Sequence, residues 1–149
     1  MSFSFNLIDE RWMPCIRNDG SRDELGLRNV LAQAHQLREI VGDTPLETVT
    51  LHRLLLVILH RVFGPESRSA WVKLWQSSSG FAMTDIEAYL ARPDIYKRFD
   101  LFDPEKPFFQ SRYPKAGEKS VISMVLQMAS GNNATLFDHH TEADRKSVV

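Results

Sequence analysis

The chain has 149 residues, 43% hydrophobic, 25% charged and 10% aromatic, which excludes collagen-like, disordered and disulfide-scaffold classes. Eighteen basic side chains stand against nineteen acidic ones, a net charge of −1; this excludes a strongly basic nucleic-acid coat and a polyanionic tail, though not a local basic surface on a larger assembly. The lone cysteine, Cys15, suits a reducing cytoplasm, no apolar run approaches the ~20 residues of a membrane span, and the N-terminus lacks the charged-then-apolar order of a signal peptide.

A length near ~150 residues predicts one domain with a real core. Residues 3–7 alternate apolar and polar, as a half-buried strand does, and residues 12–16 read as a second strand. Pro14 would put that second strand at an edge or a bulge. Asn18-Asp19-Gly20-Ser21 is a strong turn signal, and a short third strand is expected near residues 23–25. Helical spacing then sets in with Leu27, Val30, Leu31 and Ala34. Thr44-Pro45-Leu46-Glu47 predicts a capped helix start, with Thr44 as cap, Pro45 in the first turn and Glu47 closing a capping box. The run from Leu46 to Phe63 is apolar on most faces, which predicts a central core helix stopped by Gly64-Pro65. Trp71, Leu74 and Trp75 form one face of the next helix. Thr84-Asp85-Ile86-Glu87 predicts a second capping box, with Ile86, Tyr89 and Leu90 inward and Pro93 interrupting. Residues 100–114 have loop texture, with aromatics expected to pack the loop onto the core. The fold class that follows is α+β: a small N-terminal antiparallel sheet, then a mainly helical body.

Few residues look chemical. Cys15 reads as a buried structural thiol. His52 and His60 sit two turns apart, which is wrong for an i, i+4 metal pair. Trp71 and Trp75 read as core or interface packing. Asp138-His139-His140, followed by Glu142 and Asp144, offers carboxylates and imidazoles suited to a hydrolytic metal site. A metal-dependent phosphoesterase using Asp138, His139, His140 and Asp144 is therefore the rival reading. It needs a parallel sheet with further aspartate motifs, and no βαβ pattern precedes the cluster. Asp100 and Asp103 fall in the Pro-rich loop. The other reading of residues 130–140 is a polar loop with one aromatic. Phe137 could stack on an unpaired base, with Asn and His side chains bonding base edges or phosphates. Residue types alone favour Phe137 folded back into the core.

Three stretches, in order, resemble the CasA family, the large subunit of the type I-E CRISPR surveillance complex, Cascade. Asn6-Leu7-Ile8-Asp9-Glu10-Arg11-Trp12-Met13-Pro14 is similar to the family's opening phrase. Phe99-Asp100-Leu101-Phe102 with Pro107-Phe108-Phe109-Gln110 is similar to a later one. Ser130-Gly131-Asn132-Asn133-Ala134-Thr135-Leu136-Phe137 is similar to a loop the family places against nucleic acid. The resemblance implies that residues 1–149 are the N-terminal part of a larger α/β domain, with the remainder and a C-terminal helical bundle absent. It implies a non-enzymatic, cytoplasmic subunit with no cofactor or metal. Its expected role is protospacer-adjacent-motif and target DNA recognition, guide-RNA end contact and recruitment of the helicase-nuclease. The implied partners are other Cascade subunits, guide RNA, target double-stranded DNA and that effector, with no membrane. The implied nucleic-acid contacts are Gly131, Asn132, Asn133, Phe137 and His139. Asp138, beside Phe137, would repel phosphate, and the family's motif-reading residues fall beyond Val149. In such complexes base pairing reads the sequence, so one subunit needs only a local contact surface.

Overall fold

A computed structural model describes residues 3–77 and 79–110. A three-stranded antiparallel sheet opens the fold: β1 (Met13–Arg17), β2 (Arg22–Leu25) and β3 (Leu37–Ile40), in the order β2-β1-β3. The helices are α1 (Leu27–Ala32), α2 (Pro45–Phe63), α3 (Arg68–Trp75), α4 (Met83–Leu90) and a single turn, α5 (Pro93–Tyr96). The α+β architecture therefore stands as the sequence predicts.

The β1–β2 turn forms where Asn18-Asp19-Gly20-Ser21 predicts it. Gly20 takes φ +87°, a value that costs glycine little. Asp19 accepts from the Ser21 backbone N–H at 2.8 Å and its hydroxyl at 2.6 Å.

Two expectations about the sheet are corrected. Residues 3–7 do not join it. They reach across the sequence instead, through a single bridge from Asn6 to Asp100. Pro14 lies in the central strand, not at an edge. The ladder tolerates it because its missing N–H falls at the end of the β1–β3 pairing. The Pro14 carbonyl accepts from Val41 at 3.1 Å, one residue beyond the end of β3, and no return bond is needed there. β3 itself has no counterpart in the sequence reading. Its four residues are too few for period to register, and a bulge opposite Ile16 and Arg17 breaks the alternation.

α2 begins as predicted. The Thr44 hydroxyl accepts from the Glu47 N–H at 3.2 Å, and the Glu47 carboxylate accepts from the Thr44 N–H at 3.3 Å. Gly64 ends the helix in the left-handed region at φ +39°. Its burial is another matter. Leu55 and Ile58 are buried, with Leu51, Leu54, Leu59, Val62 and Phe63 packed partly against the core. Leu46, Val49, Leu56 and Val57 are exposed, Val57 at 66%. The expected core helix is thus a one-sided wall. α3 is capped by Ser67, whose hydroxyl accepts from Ala70 at 3.2 Å, and its Trp71 and Trp75 stand 53% and 61% exposed.

The capping box predicted at Thr84 does not form. α4 starts at Met83 after Ala82, with no side-chain cap, and Glu87 is drawn instead to Arg28 on α1. Ile86 and Leu90 are fully buried as expected, and Pro93 opens α5. The core sits where the N-terminal segment, the sheet, α1, one face of α2 and α4 converge: Ile8, Met13, Cys15, Leu27, Leu31, Ile58, Ile86 and Leu90. Cys15 is buried, and burial pushes its thiol pKa up, the inert structural role expected of it.

Candidate functional site

Two of the three resemblance-bearing stretches meet in space, and their geometry explains their residue types. Residues 5–8 thread between α1 and the 96–101 segment. The Leu7 N–H donates to Phe99 at 3.0 Å, and the Leu101 N–H donates to the Phe5 carbonyl at 3.0 Å. Asn6 is buried, and its side chain works in both directions. Its Nδ2 donates to the Tyr96 carbonyl at 2.9 Å, and its Oδ1 accepts from Ile8 at 3.0 Å. The amide thus satisfies the buried Ile8 N–H, which would otherwise cost about 1–3 kcal/mol, and ties this segment to the Tyr96 carbonyl. Trp12 donates its indole N–H to the Leu7 carbonyl at 2.9 Å.

The same segment caps α1. Gly26, the residue before the helix, has no side chain to offer. The orphan N–H groups of Leu27 and Arg28 donate instead to the carbonyls of Leu7 and Ile8, both at 3.1 Å, which meets the need of any helix start for acceptors. The approach demands glycine: a Cβ on Gly26 would lie 2.7 Å from the Ile8 oxygen and 2.8 Å from that of Glu10.

Polar side chains lock the outside of this junction. Arg28 on α1 donates to Asp9 at 2.7 Å and also binds Glu87 on α4. The Tyr96 hydroxyl donates to Asp9 at 2.9 Å. Burial works to raise the Asp9 carboxyl, but the bonds from Arg28 and Tyr96 outweigh it and hold it below the usual range. The bond to Asp9 in turn raises the Tyr96 phenol. Asp100 accepts from the Ser4 hydroxyl and from the N–H groups of Phe102 at 2.8 Å and Phe5 at 3.2 Å. Burial opposes ionisation there too, and these donors overcome it. Asp103, also buried, accepts from the N–H groups of Lys106 at 2.7 Å and Glu105 at 2.9 Å, which lower its pKa.

The aromatic loop follows its expectation in part. Phe108 stacks on Phe99 with ring centroids 5.2 Å apart. Phe109, at φ +52°, is 92% exposed.

These carboxylates are already engaged by hydrogen-bond donors, so the cluster is a clamp and not a pair poised for acid–base work. Among the described residues no group of three or more His, Cys, Asp or Glu is placed to hold a metal ion. His52 is spent on its own helix, its Nδ1 lying 2.7 Å from the Thr48 carbonyl oxygen. Gly131, Asn132, Asn133, Phe137 and His139 lie outside the described residues, as do Asp138, His140, Glu142 and Asp144 of the rival metal site. Sequence reasoning missed the Arg28–Asp9–Glu87–Tyr96 cluster because its members come from widely separated parts of the chain.

The comparisons extend from this clamp along most of the chain. The model of the family described as CRISPR-associated protein Cse1 matches residues 6–148. The chain belongs to the Cse1 family. CRISPR-associated protein CasA/Cse1 of Thermus thermophilus is 41% identical over 139 residues, 93% of this chain and 27% of that protein. The crystal structure of Thermobifida fusca Cse1 is 44% identical with a TM-score of 0.67, over 72% of this chain and 20% of that one. A chain of a CRISPR RNA-guided surveillance complex is 31% identical with a TM-score of 0.62, over 72% of this chain and 23% of its own length. The chain thus spans about a quarter of the length of these Cse1 relatives. Within the Cse1 fold, the Asn6–Trp12 phrase and the Phe99–Gln110 stretch form one backbone junction.

Proposed function

We propose that residues 1–149 are the N-terminal part of a non-enzymatic, cytoplasmic large subunit of a type I-E Cascade complex. In this reading the subunit helps recognise the protospacer-adjacent motif and target DNA, contacts the guide-RNA end and recruits the helicase-nuclease. Gly131, Asn132, Asn133, Phe137 and His139 make the nucleic-acid contacts, and neither metal nor cofactor is needed. The observation that carries the reading is the family match across residues 6–148, which takes in the Ser130–Phe137 stretch. The likeness to a chain of an RNA-guided surveillance complex supports it. The clamp supports it differently. It commits Asp9, Asp100 and Asp103 to bonds within the chain, and the described sheet is antiparallel, unlike the parallel framework that the rival phosphoesterase needs.

The chemistry is modest. An aromatic ring stacks on any base, a contact worth about 1–3 kcal/mol, while asparagine amides reach base edges or sugars. The test is Phe137→Ala in the full-length subunit, with two readouts. Target DNA affinity of the reconstituted complex should fall roughly ten- to hundred-fold, with the melting temperature of the subunit unchanged. Normal affinity with a depressed melting temperature would return Phe137 to the core. Stoichiometric zinc or manganese, lost on mutating His139 and His140, would restore the metal-site reading.

A further inference from the structure

The backbone of residues 5–9 serves two neighbours at once. On one side the Leu7 N–H donates to Phe99, and the Phe5 carbonyl accepts from Leu101. On the other, the carbonyls of Leu7 and Ile8 receive the first N–H groups of α1. Leu7 thus spends its N–H on one neighbour and its carbonyl on the other, and that carbonyl also takes the Trp12 indole N–H. α1 has six residues, no side-chain cap and no acidic residue in its first turn. A helix this short does not hold its first turn by propensity, so its start depends on those two carbonyls.

A segment near a terminus frays from its end unless its middle is pinned, and here the middle is pinned hardest. Asn6, Leu7 and Ile8 are buried, whereas Phe3 and Ser4 are exposed. The Asn6 carbonyl accepts from Asp9 at 3.2 Å and from Glu10 at 2.9 Å, and its side-chain amide spans from the Tyr96 carbonyl to the Ile8 N–H. These bonds close residues 6–10 into a turn. Tyr96 is fastened to both arms of it, its carbonyl to Asn6 and its hydroxyl to Asp9.

We propose that residues 5–9 are a strap that opens as one piece, so that its release uncaps α1 and frees the 99–101 segment together. The strap is the conformational link between α1 and the 99–110 stretch, which exchange no backbone hydrogen bond of their own among the described residues. Proteins open in cooperative units whose free energies differ across one structure. This unit joins segments far apart in sequence, because its bonds all run through the strap. It leaves α2 out, since none of these bonds reaches residues 45–63. The proposal is independent of the contacts assigned to residues 131–139.

The test is hydrogen exchange read by mass spectrometry on the full-length subunit. It compares peptides carrying the amides of Leu7, Leu27, Arg28 and Leu101 with one from the middle of α2. In low urea the first set should lose protection in parallel, ahead of α2. Asp100→Asn weakens bonds that go to Ser4, Phe5 and Phe102 and not to α1. It should nonetheless speed exchange at Leu27 and Arg28 by about tenfold, the same factor as at Leu7, and leave α2 unchanged. Tyr96→Phe removes only the hydroxyl bonded to Asp9, and it should move the same amides in the same direction even where Asp100→Asn does not fold. Faster exchange at Leu7 and Leu101 with Leu27 and Arg28 unchanged would show the end fraying alone, and would overturn the proposal. So would acceleration of α2 by the same factor, which would make the opening global.

Discussion

The two halves of the described fold solve the same problem in opposite ways. One half, built from the 5–8 segment, the sheet, α1, α4 and the 96–103 segment, closes on itself. Its Ile8, Met13, Leu27, Leu31, Ile86 and Leu90 are buried, the bare start of α1 finds the Leu7 and Ile8 carbonyls, and Asp9, Asp100 and Asp103 are held by hydrogen-bond donors. α2 and α3 are well capped but poorly covered, with Val57, Trp71 and Trp75 more exposed than buried. Capping is satisfied within a few residues of chain, whereas covering an apolar face needs mass from elsewhere. The contrast therefore separates a closed region from one whose apolar face the described residues leave uncovered.

Core truncation should divide the halves most sharply. Ile86→Ala or Ile8→Ala, at fully buried positions, should each cost about 2–5 kcal/mol in urea melts. Leu55→Ala, on the inner face of α2, should fall in the same range. Leu59→Ala should cost less, because that side chain is only partly buried. Gly26→Ala comes next. The added methyl meets two backbone carbonyls that cannot step aside, so about 1–3 kcal/mol is expected from the same melts.

Acid should weaken the closed half. Asp9, Asp100 and Asp103 have folded pKa values below the ordinary carboxylate value. The folded chain then binds fewer protons than the unfolded chain in that range, so stability rises with pH there. The contribution is complete above about pH 5, and it is lost as pH falls through the folded values. Urea midpoints at pH 3 and pH 6 should differ less in Asp9→Asn than in the parent chain; an unchanged difference would remove Asp9 from the clamp. The smallest effect belongs to the open half. Val57→Ala should stay within about 0.5 kcal/mol. A loss as large as that of Ile86→Ala would erase the distinction between the two regions.

Much of this was legible in the sequence. The turn at Gly20, the box of Thr44 and Glu47, the stop at Gly64 and the inward Ile86 and Leu90 all formed as their residue types predict. The Asn6–Trp12 and Phe99–Gln110 phrases carried the family resemblance, and the family match agrees with it. What they do was not legible there, because their bonds run between segments some ninety residues apart. For the candidate contacts the sequence and its family remain the whole basis, since Gly131, Asn132, Asn133, Phe137 and His139 fall outside the described residues.

By itself the sequence determined the features whose energy is local: where α2 starts and stops, where the hairpin turns, and that Cys15 is a quiet thiol. Tertiary structure decided everything that depends on a distant partner. It placed Pro14 in a central strand, by ending β3 where the missing N–H would have been needed. It drew Glu87 from its expected capping box to Arg28. It exposed half of an apolar helix, because apolar residues on a helix state that a face can be buried, and only neighbouring mass decides which face is.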